Sequence, residues 1–208
     1  MLEGIERVSP SDIERRSFEI ISQMLGDRSF PPMHDNIIKR VIHTTADFEF
    51  ADILSISAGA AESGMDALKA GSNVVADTRM VWSGINKRVL GSYGGEAVCY
   101  MDDASIASDA ADRNVTRASL CMDRAAEDGK NGVYAIGNAP TALIRLCELI
   151  LEGRAKPLLV VGVPVGFVNV VESKRFLKKA GVPYIISEGR KGGSNVAAAI
   201  VNAILYMC

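Results

Sequence analysis

From about residue 70 onwards, short apolar runs alternate with longer helical patterns. The apolar runs are NVVAD at 73–77, EAVCY at 96–100, GVYAIG at 132–137, PLLVVGV at 157–163 and VPYIIS at 182–187. Each is short and almost unbroken in apolar character, which is typical of a strand buried on both faces of a parallel sheet. The main helical patterns around them cover residues 109–128, 139–153, 169–181 and 194–207. This alternation predicts a single-domain α/β fold over residues 1–208, a three-layer α/β/α sandwich with about five parallel strands.

The first fifty-five residues precede this alternation and are also predicted to be helical. In SPSDIERRSFEIISQML, apolar residues recur at helical spacing up to a break at Gly26. A second pattern, MHDNIIKRVIH at 33–43, places four aliphatic residues on one side and His43 at or near its C-terminal end. We therefore expect a helical N-terminal segment, residues 1–55, packed on the α/β domain.

Composition limits the class of partner. The formal net charge is -2 and the pI is near 5.8, so no global positive field attracts nucleic acid or an anionic membrane. An anionic ligand must then be bound by a few local cations. The four cysteines are widely separated, the chain opens with charged residues rather than a signal peptide, and no apolar run reaches the roughly 18 residues of a membrane span. We expect a reduced, soluble, cytoplasmic protein.

The loops after the predicted strands are rich in glycine and helix-starting residues. GNAPTA follows the third strand, VPVGFVNVVESK the fourth and EGRKGGSNVAAA the fifth, with Asn138 and Ser194 as plausible helix caps. In parallel α/β folds, ligands bind beyond the carboxyl ends of the strands, and helix N-termini there can hold carboxylates or phosphates. The same loops are also compatible with ordinary connections between strands and helices.

Several common catalytic motifs are missing from the sequence. The sequence contains neither G-x-x-x-x-G-K-[ST] nor G-x-G-x-x-G after a strand, the motifs that would indicate a nucleotide-binding protein. It also lacks the G-x-S-x-G motif of serine hydrolases. Two histidines, His34 and His43, are too few for a dedicated zinc site, so we expect no metal site. Acid–base chemistry or simple binding remains.

Seven segments stand in order along nearly the whole chain: ERRSF at 14–18, KRVIHTTADFEFA at 39–51, VADTRMVWSGI at 75–85, TRA at 116–118, AIGNAPTAL at 135–143, GVPVGFVNVVESK at 162–174 and GRKGGSNVAAAIVNA at 189–203. Together they resemble the precorrin-8X methylmutase family, including its cobalt-precorrin-8 counterpart. The resemblance implies an isomerase of corrin-ring biosynthesis that moves a methyl group from C11 to C12 of a tetrapyrrole-derived macrocycle. It also implies a flavodoxin-like fold, a homodimer with active sites near the subunit interface, and no cofactor, since any cobalt is carried by the substrate.

Within this resemblance, His43 matches the catalytic histidine. Protonation of a nitrogen of the substrate macrocycle would polarise its conjugated system and ease the methyl shift. Imidazole is suited to donate that proton because it exchanges a proton near neutral pH. Two other interpretations of His43 are a helix-terminal histidine stabilised by the helix dipole and an axial ligand to substrate cobalt. A ligated imidazole cannot also transfer a proton, which argues against the axial role.

The substrate implied by the resemblance is a flat ring edged with carboxylates. Arg16, Ser17 and Arg40 match substrate-contacting positions, and Arg40 lies three residues before His43, on the same helical face. Arg117 is a further candidate that could reach the neighbouring subunit's site. For the arginines the alternative is a solvated helix surface.

Two alternative functions come from other classes of protein. A non-catalytic corrinoid-binding or carrier protein would have no evident need of a proton donor. A flavodoxin-like phosphate binder would need a phosphate-binding loop after NVVAD, and the segment there does not resemble one. The sequence leaves open whether the substrate contains cobalt, which subunit each arginine serves, and whether the glycine-rich loop at 189–195 contacts the substrate.

Overall fold

The computed structural model describes residues 6–208, which are built around one six-stranded sheet. The strands are β1 (Leu54–Ile56), β2 (Asn73–Ala76), β3 (Ala97–Val98), β4 (Asn131–Ile136), β5 (Leu159–Gly162) and β6 (Tyr184–Ser187). Their order is β1-β6-β5-β4-β2-β3; β2 to β6 are parallel and β1 runs antiparallel to β6. Counted along the chain, the five parallel strands have the order 2-1-3-4-5, which is that of flavodoxin. The predicted fold class is confirmed.

Helices cover both faces of this sheet. They are α1 (Ile13–Leu25), α2 (Pro32–Thr45), α3 (Phe50–Ile53), α4 (Ala60–Lys69), α5 (Arg79–Gly84), α6 (Lys87–Ser92), α7 (Ala104–Asp112), α8 (Arg117–Ala126), α9 (Pro140–Leu151), α10 (Val170–Leu177) and α11 (Ser194–Leu205). None of these helices is both long and apolar enough to cross a membrane.

Two separate hydrophobic cores explain why the strands are apolar throughout. Alternate residues of a strand point to opposite faces, so Val133 and Ala135 of β4 join one core while Tyr134 and Ile136 join the other. The first core contains residues of α2, α4 and α11, and the second contains residues of α8, α9 and α10. Both faces of each inner strand are therefore buried, and no polar alternation appears in the sequence.

The N-terminal helices form an additional layer on the α11 side. Helix α2 packs on α11, and α1 packs on α2. Residues 1–5 of the predicted N-terminal segment lie outside the described residues. At its other end the prediction is incomplete, because Leu54–Ile56 forms the edge strand β1, paired with Ile185–Ser187 of β6. Three residues are too few for a recognisable strand pattern.

The predicted helix over residues 109–128 is wrong. Helix α7 ends at Asp112 and α8 begins at Arg117, with Asn114 between them in the left-handed conformation at φ 52°. Asn adopts this conformation more readily than most residues. Thr116 then caps α8, since its hydroxyl oxygen accepts a hydrogen bond from the Ser119 N–H. Arg117 is consequently the first residue of a helix instead of a mid-helix residue.

Candidate active site

The carboxyl ends of β2 and β4 form the topological switch point of the sheet, where flavodoxin-like folds bind ligands. Here the fully buried carboxylate of Asp77, directly after β2, fills that position. It accepts hydrogen bonds from the backbone N–H groups of Gly137 at 3.0 Å, Asn138 at 2.8 Å and Ala139 at 2.8 Å. The donors that would hold a bound phosphate are therefore occupied by the protein's own anion.

Burial raises the pKa of Asp77, and the three backbone N–H groups oppose that rise.

The expected side-chain caps in the neighbouring loops are wrong. Ala139 occupies the N-cap position of α9, so the exposed Asn138 lies one residue before the position from which a side chain could cap the helix. Ser194 is the first residue of α11, and its hydroxyl lies 3.2 Å from that of Thr78.

A cavity of about 280 Å³ contains His43 and lies between α2, the end of α5 and α11. Its lining residues are Arg40, His43, Thr44, Gly84, Asn195, Ala198, Ala199, Asn202 and Tyr206. The floor consists of two alanines of α11. Helix α5 approaches this floor so closely that a Cβ on Gly84 would lie 2.7 Å from the Cβ of Ala198.

The end of α2 positions His43. Ala46 has a left-handed backbone at φ 54°, and its N–H donates to the Ile42 carbonyl at 2.7 Å, so the helix ends one residue earlier at Thr45. His43 therefore lies in the last turn. Its exposed imidazole packs against Phe18 of α1, with the ring centroids 5.5 Å apart.

Arg40 lies in the same cavity, so the predicted shared face of Arg40 and His43 is confirmed. Its guanidinium stands 4.8 Å from the ring of Phe18 and 5.1 Å from the ring of Tyr206, and its Nη2 is 2.6 Å from Glu14 Oε1. The side chain is only 18% exposed. These contacts fix the guanidinium and join α1 to α2 and α11, and a substrate carboxylate would have to share or replace Glu14.

The other three predicted site residues do not line this cavity. The hydroxyl of Ser17 donates to the Ile13 carbonyl at 2.8 Å, within α1. Arg16 pairs with Glu6 at 2.8 Å and with Glu19 at 3.5 Å. Arg117 lies in the helix layer on the opposite face of the sheet, on an open cavity of about 820 Å³ beside Thr116, Ser119 and Thr141. Within residues 6–208, Arg117 forms no ion pair.

Sequence reasoning missed the polar residues that α11 contributes. The side chain of Asn202 accepts from Asn86 N at 2.8 Å and donates to the Gly84 carbonyl at 2.8 Å, which holds the α5–α6 turn against α11. Asn86 also donates to the Tyr206 hydroxyl at 3.1 Å. Asn195 lines the cavity, and its amide makes no hydrogen bond with the described part of the chain. The seven-residue spacing of Asn195 and Asn202 in an otherwise apolar helix was the available signal, because it places both on one face.

Comparison with known proteins identifies the family. The chain matches the family model "Precorrin-8X methylmutase" over residues 12–207. It is 49% identical to the cobalt-precorrin-8 methylmutase of Salmonella typhimurium, over 95% of each chain. It is 46% identical to that of Priestia megaterium, over 95% of this chain and 88% of the relative. The chain belongs to the precorrin-8X methylmutase family.

It is therefore a methylmutase, an isomerase of cobalamin biosynthesis, which confirms the function that the sequence resemblance implies. The crystal structure of the Thermus thermophilus precorrin-8X methylmutase superposes with a TM-score of 0.86 at 40% identity, covering 94% of this chain and 96% of the other. In residues 6–208 of this methylmutase, no group of three or more His, Cys, Asp or Glu side chains could hold a metal ion.

The glycine-rich loop of the methylmutase is anchored by a buried lysine. The ammonium of Lys174 donates to Ser187 Oγ at 3.1 Å and to the carbonyls of Gly189 at 3.0 Å and Lys191 at 2.8 Å. Lys191 in turn pairs with Asp47 and, at 2.7 Å, with Glu49, just beyond the end of α2. Lys174 thus fixes the backbone of the glycine-rich loop, and Lys191 links the loop to the segment that follows α2.

Replacing Asp77 tests the internal anion at the switch point. An Asp77→Ala variant leaves three N–H groups without their acceptor, and we expect it to lose about 3 kcal/mol of the free energy of unfolding. Urea denaturation measures this loss. The exposed Asp112→Ala on α7 is the matched control and should change by less than about 0.5 kcal/mol. Equal stabilities of the two variants would contradict the assignment.

Lys174 makes stability depend on pH. Burial lowers the pKa of its ammonium to about 8 in the folded protein, below the ordinary lysine value of 10.5 that holds for the unfolded chain. Between about pH 8 and pH 10.5 the unfolded chain binds more protons at this lysine than the folded protein does. The free energy of unfolding therefore rises with pH over this range, by at most about 1.4 kcal/mol per pH unit. Urea titrations should therefore show wild type gaining stability relative to Lys174→Met as the pH rises. The exposed Lys156→Met should follow wild type, and a constant difference between wild type and Lys174→Met would refute the prediction.

Proposed function

We propose that this methylmutase moves a methyl group from C11 to C12 of precorrin-8X or of cobalt-precorrin-8, giving hydrogenobyrinate or cobyrinate, with His43 as the proton donor. The observation that carries the proposal is the cavity in which His43 and Arg40 lie together, in a chain of this family. His34, the other histidine, lies in the first turn of α2 and does not line the cavity.

The geometry around His43 suits a single proton transfer. The imidazole is exposed to the cavity, its ring is supported on one side by Phe18, and small residues, Gly84 and Ala198, form the surface nearby. A flat macrocycle can therefore approach the imidazole edge-on with little steric obstruction. Protonation of a ring nitrogen draws electron density from the conjugated system, and the methyl group then migrates to the adjacent carbon while the proton returns to the base.

Arginines would position the carboxylates of the ring. Arg40 is held rigid beside His43, so a carboxylate bound there would fix the distance between imidazole and ring. Arg16 and Ser17 lie on α1, which packs over α2, and we place them at the outer rim of the site.

We further propose that the enzyme acts as a homodimer in which Arg117 serves the partner's site. Arg117 and His43 belong to helix layers on opposite faces of the sheet, so Arg117 cannot readily reach the His43 cavity of its own chain. Its guanidinium forms no ion pair within residues 6–208 and remains available for a carboxylate.

The reaction needs no resident cofactor, because it rearranges one molecule and any cobalt arrives inside the substrate. We also propose that the enzyme acts in the cytoplasm. All four cysteines are free thiols, as suits a reducing compartment.

Loss of the imidazole should abolish turnover. We expect wild type to convert precorrin-8X or its cobalt form, with a change in the visible spectrum, and His43→Ala to be at least about 100-fold slower because the proton donor is gone. His34→Ala is the matched control and should keep wild-type activity. Binding without conversion by wild type would favour a corrinoid carrier instead, and a fully active His43→Ala would exclude His43 as the donor.

Mixed dimers test the place of Arg117. Co-expressed His43→Ala and Arg117→Ala subunits should regain about a quarter of wild-type activity, since half of the randomly paired dimers contain one intact site. Each variant alone should be nearly inactive. If Arg117 serves its own subunit, every site in the mixture carries one defect and no activity returns.

A further inference from the structure

The loop between β5 and α10 exposes an unusual apolar surface. We call residues 163–169 the apolar segment; within it Phe167 is 84% exposed, Val168 78% and Val165 45%. Exposure of these side chains leaves apolar surface in water that burial against a ligand would remove. Adjacent apolar side chains exposed in this way usually mark a binding surface.

The apolar segment is held in a defined conformation by the glycine-rich loop. The N–H of Gly193 donates to the Val163 carbonyl at 2.9 Å, and the N–H of Gly166 donates to the Arg190 carbonyl at 3.3 Å. The two loops are so close at Gly192 that a Cβ there would lie 2.1 Å from the Val163 carbonyl oxygen. These contacts fix the backbone on either side of Phe167 and hold its side chain at the surface.

A cation lies at the edge of this surface. The guanidinium carbon of Arg190 is 5.9 Å from the centre of the Phe167 ring, and Arg190 is exposed. Lys174 holds the carbonyls of Gly189 and Lys191, on either side of Arg190, so the backbone at this position is fixed. Within residues 6–208, Lys191 pairs with acidic residues whereas Arg190 forms no ion pair.

We propose that Phe167 and Arg190 bind the substrate of the methyl shift: the Phe167 ring packs on a face of the macrocycle, and Arg190 pairs with a carboxylate at its edge. The inference rests on the proposed function, which supplies a flat apolar ring bordered by carboxylates. An aromatic ring beside an unpaired guanidinium matches that chemistry.

The position in the fold supports the substrate as the occupant. The apolar segment and Arg190 follow β5 and β6 at the carboxyl edge of the sheet, where ligands of such folds bind. From Arg190 the glycine-rich loop leads directly to Asn195, which lines the His43 cavity, while Lys191 ties the loop to the segment after α2. A ligand large enough to contact both His43 and this surface fits this continuity, whereas a purely apolar partner would leave the Arg190 charge uncompensated.

The test measures product binding in the full-length protein. Absorbance titration with hydrogenobyrinate gives Kd for wild type, Phe167→Ala, Phe167→Trp and Arg190→Gln. We expect Phe167→Ala to raise Kd about ten-fold at any salt concentration, and Phe167→Trp to bind like wild type. Arg190→Gln should raise Kd about five-fold at low salt and less at high salt, because ions screen an exposed charge pair. Leu151→Ala at the end of α9 and Arg113→Gln directly after α7, both at exposed positions, are matched controls and should leave Kd unchanged.

Sedimentation of the same variants separates the substrate from a second copy of the chain. A changed oligomeric mass with unchanged Kd for Phe167→Ala would assign the surface to a subunit interface and overturn the inference. A wild-type Kd together with a wild-type mass in both Phe167→Ala and Arg190→Gln would also overturn the inference. If wild type binds hydrogenobyrinate through Phe167 and Arg190 yet converts neither precorrin-8X nor cobalt-precorrin-8, the proposed function fails and the binding surface stands.

Discussion

The carboxylate of Asp77 determines where this fold can bind its ligand. In a doubly wound sheet the loops after the two central strands separate, and the exposed N–H groups at that point attract anions. Asp77 supplies an anion from within the chain and bonds three successive N–H groups at 2.8–3.0 Å. The crevice is thereby closed to an external phosphate, and the open space of the molecule lies elsewhere.

A second buried charged residue, Lys174, lies beside the carboxyl end of β6. Within residues 6–208, Lys174 contacts no carboxylate; its ammonium donates to two carbonyls of the glycine-rich loop and to the hydroxyl of Ser187 at the end of β6. Both buried charges are thus compensated by polar groups of loops, not by an opposite charge, and each fixes the backbone of a loop at the carboxyl edge. The result is a rigid edge from which Arg190 and Asn195 project. Helix α2 adds His43 and Arg40 from the outer layer, with Arg40 held by Glu14, Phe18 and Tyr206.

Much of this arrangement follows from local sequence patterns. The inner parallel strands β2, β4, β5 and β6 were predictable because they are buried on both faces, and the half-buried edge strand β3 was predictable from its apolar run. The Arg40–His43 face follows from helical spacing alone. The edge strand β1 was not predictable, since its three residues gain their structure from pairing with β6. The break at Asn114 depends on one left-handed residue inside an otherwise helical pattern. The predicted caps at Asn138 and Ser194 were each wrong by one position: Ala139 and Gly193 are the N-cap residues, and the Ser194 hydroxyl instead lies beside that of the distant Thr78. Likewise, Asn202 becomes part of the cavity only because the distant α5–α6 turn packs on it.

We propose that the substrate binds against His43 on the outer helix layer while Asp77 keeps the switch point closed. A crystal structure of the enzyme with bound hydrogenobyrinate is the decisive experiment. We expect the edge of the macrocycle to lie within hydrogen-bonding distance of the His43 imidazole, with the three hydrogen bonds of Asp77 intact. A macrocycle carboxylate bonded to the N–H groups of residues 137–139 in place of Asp77, with His43 out of reach of the ring, would contradict it.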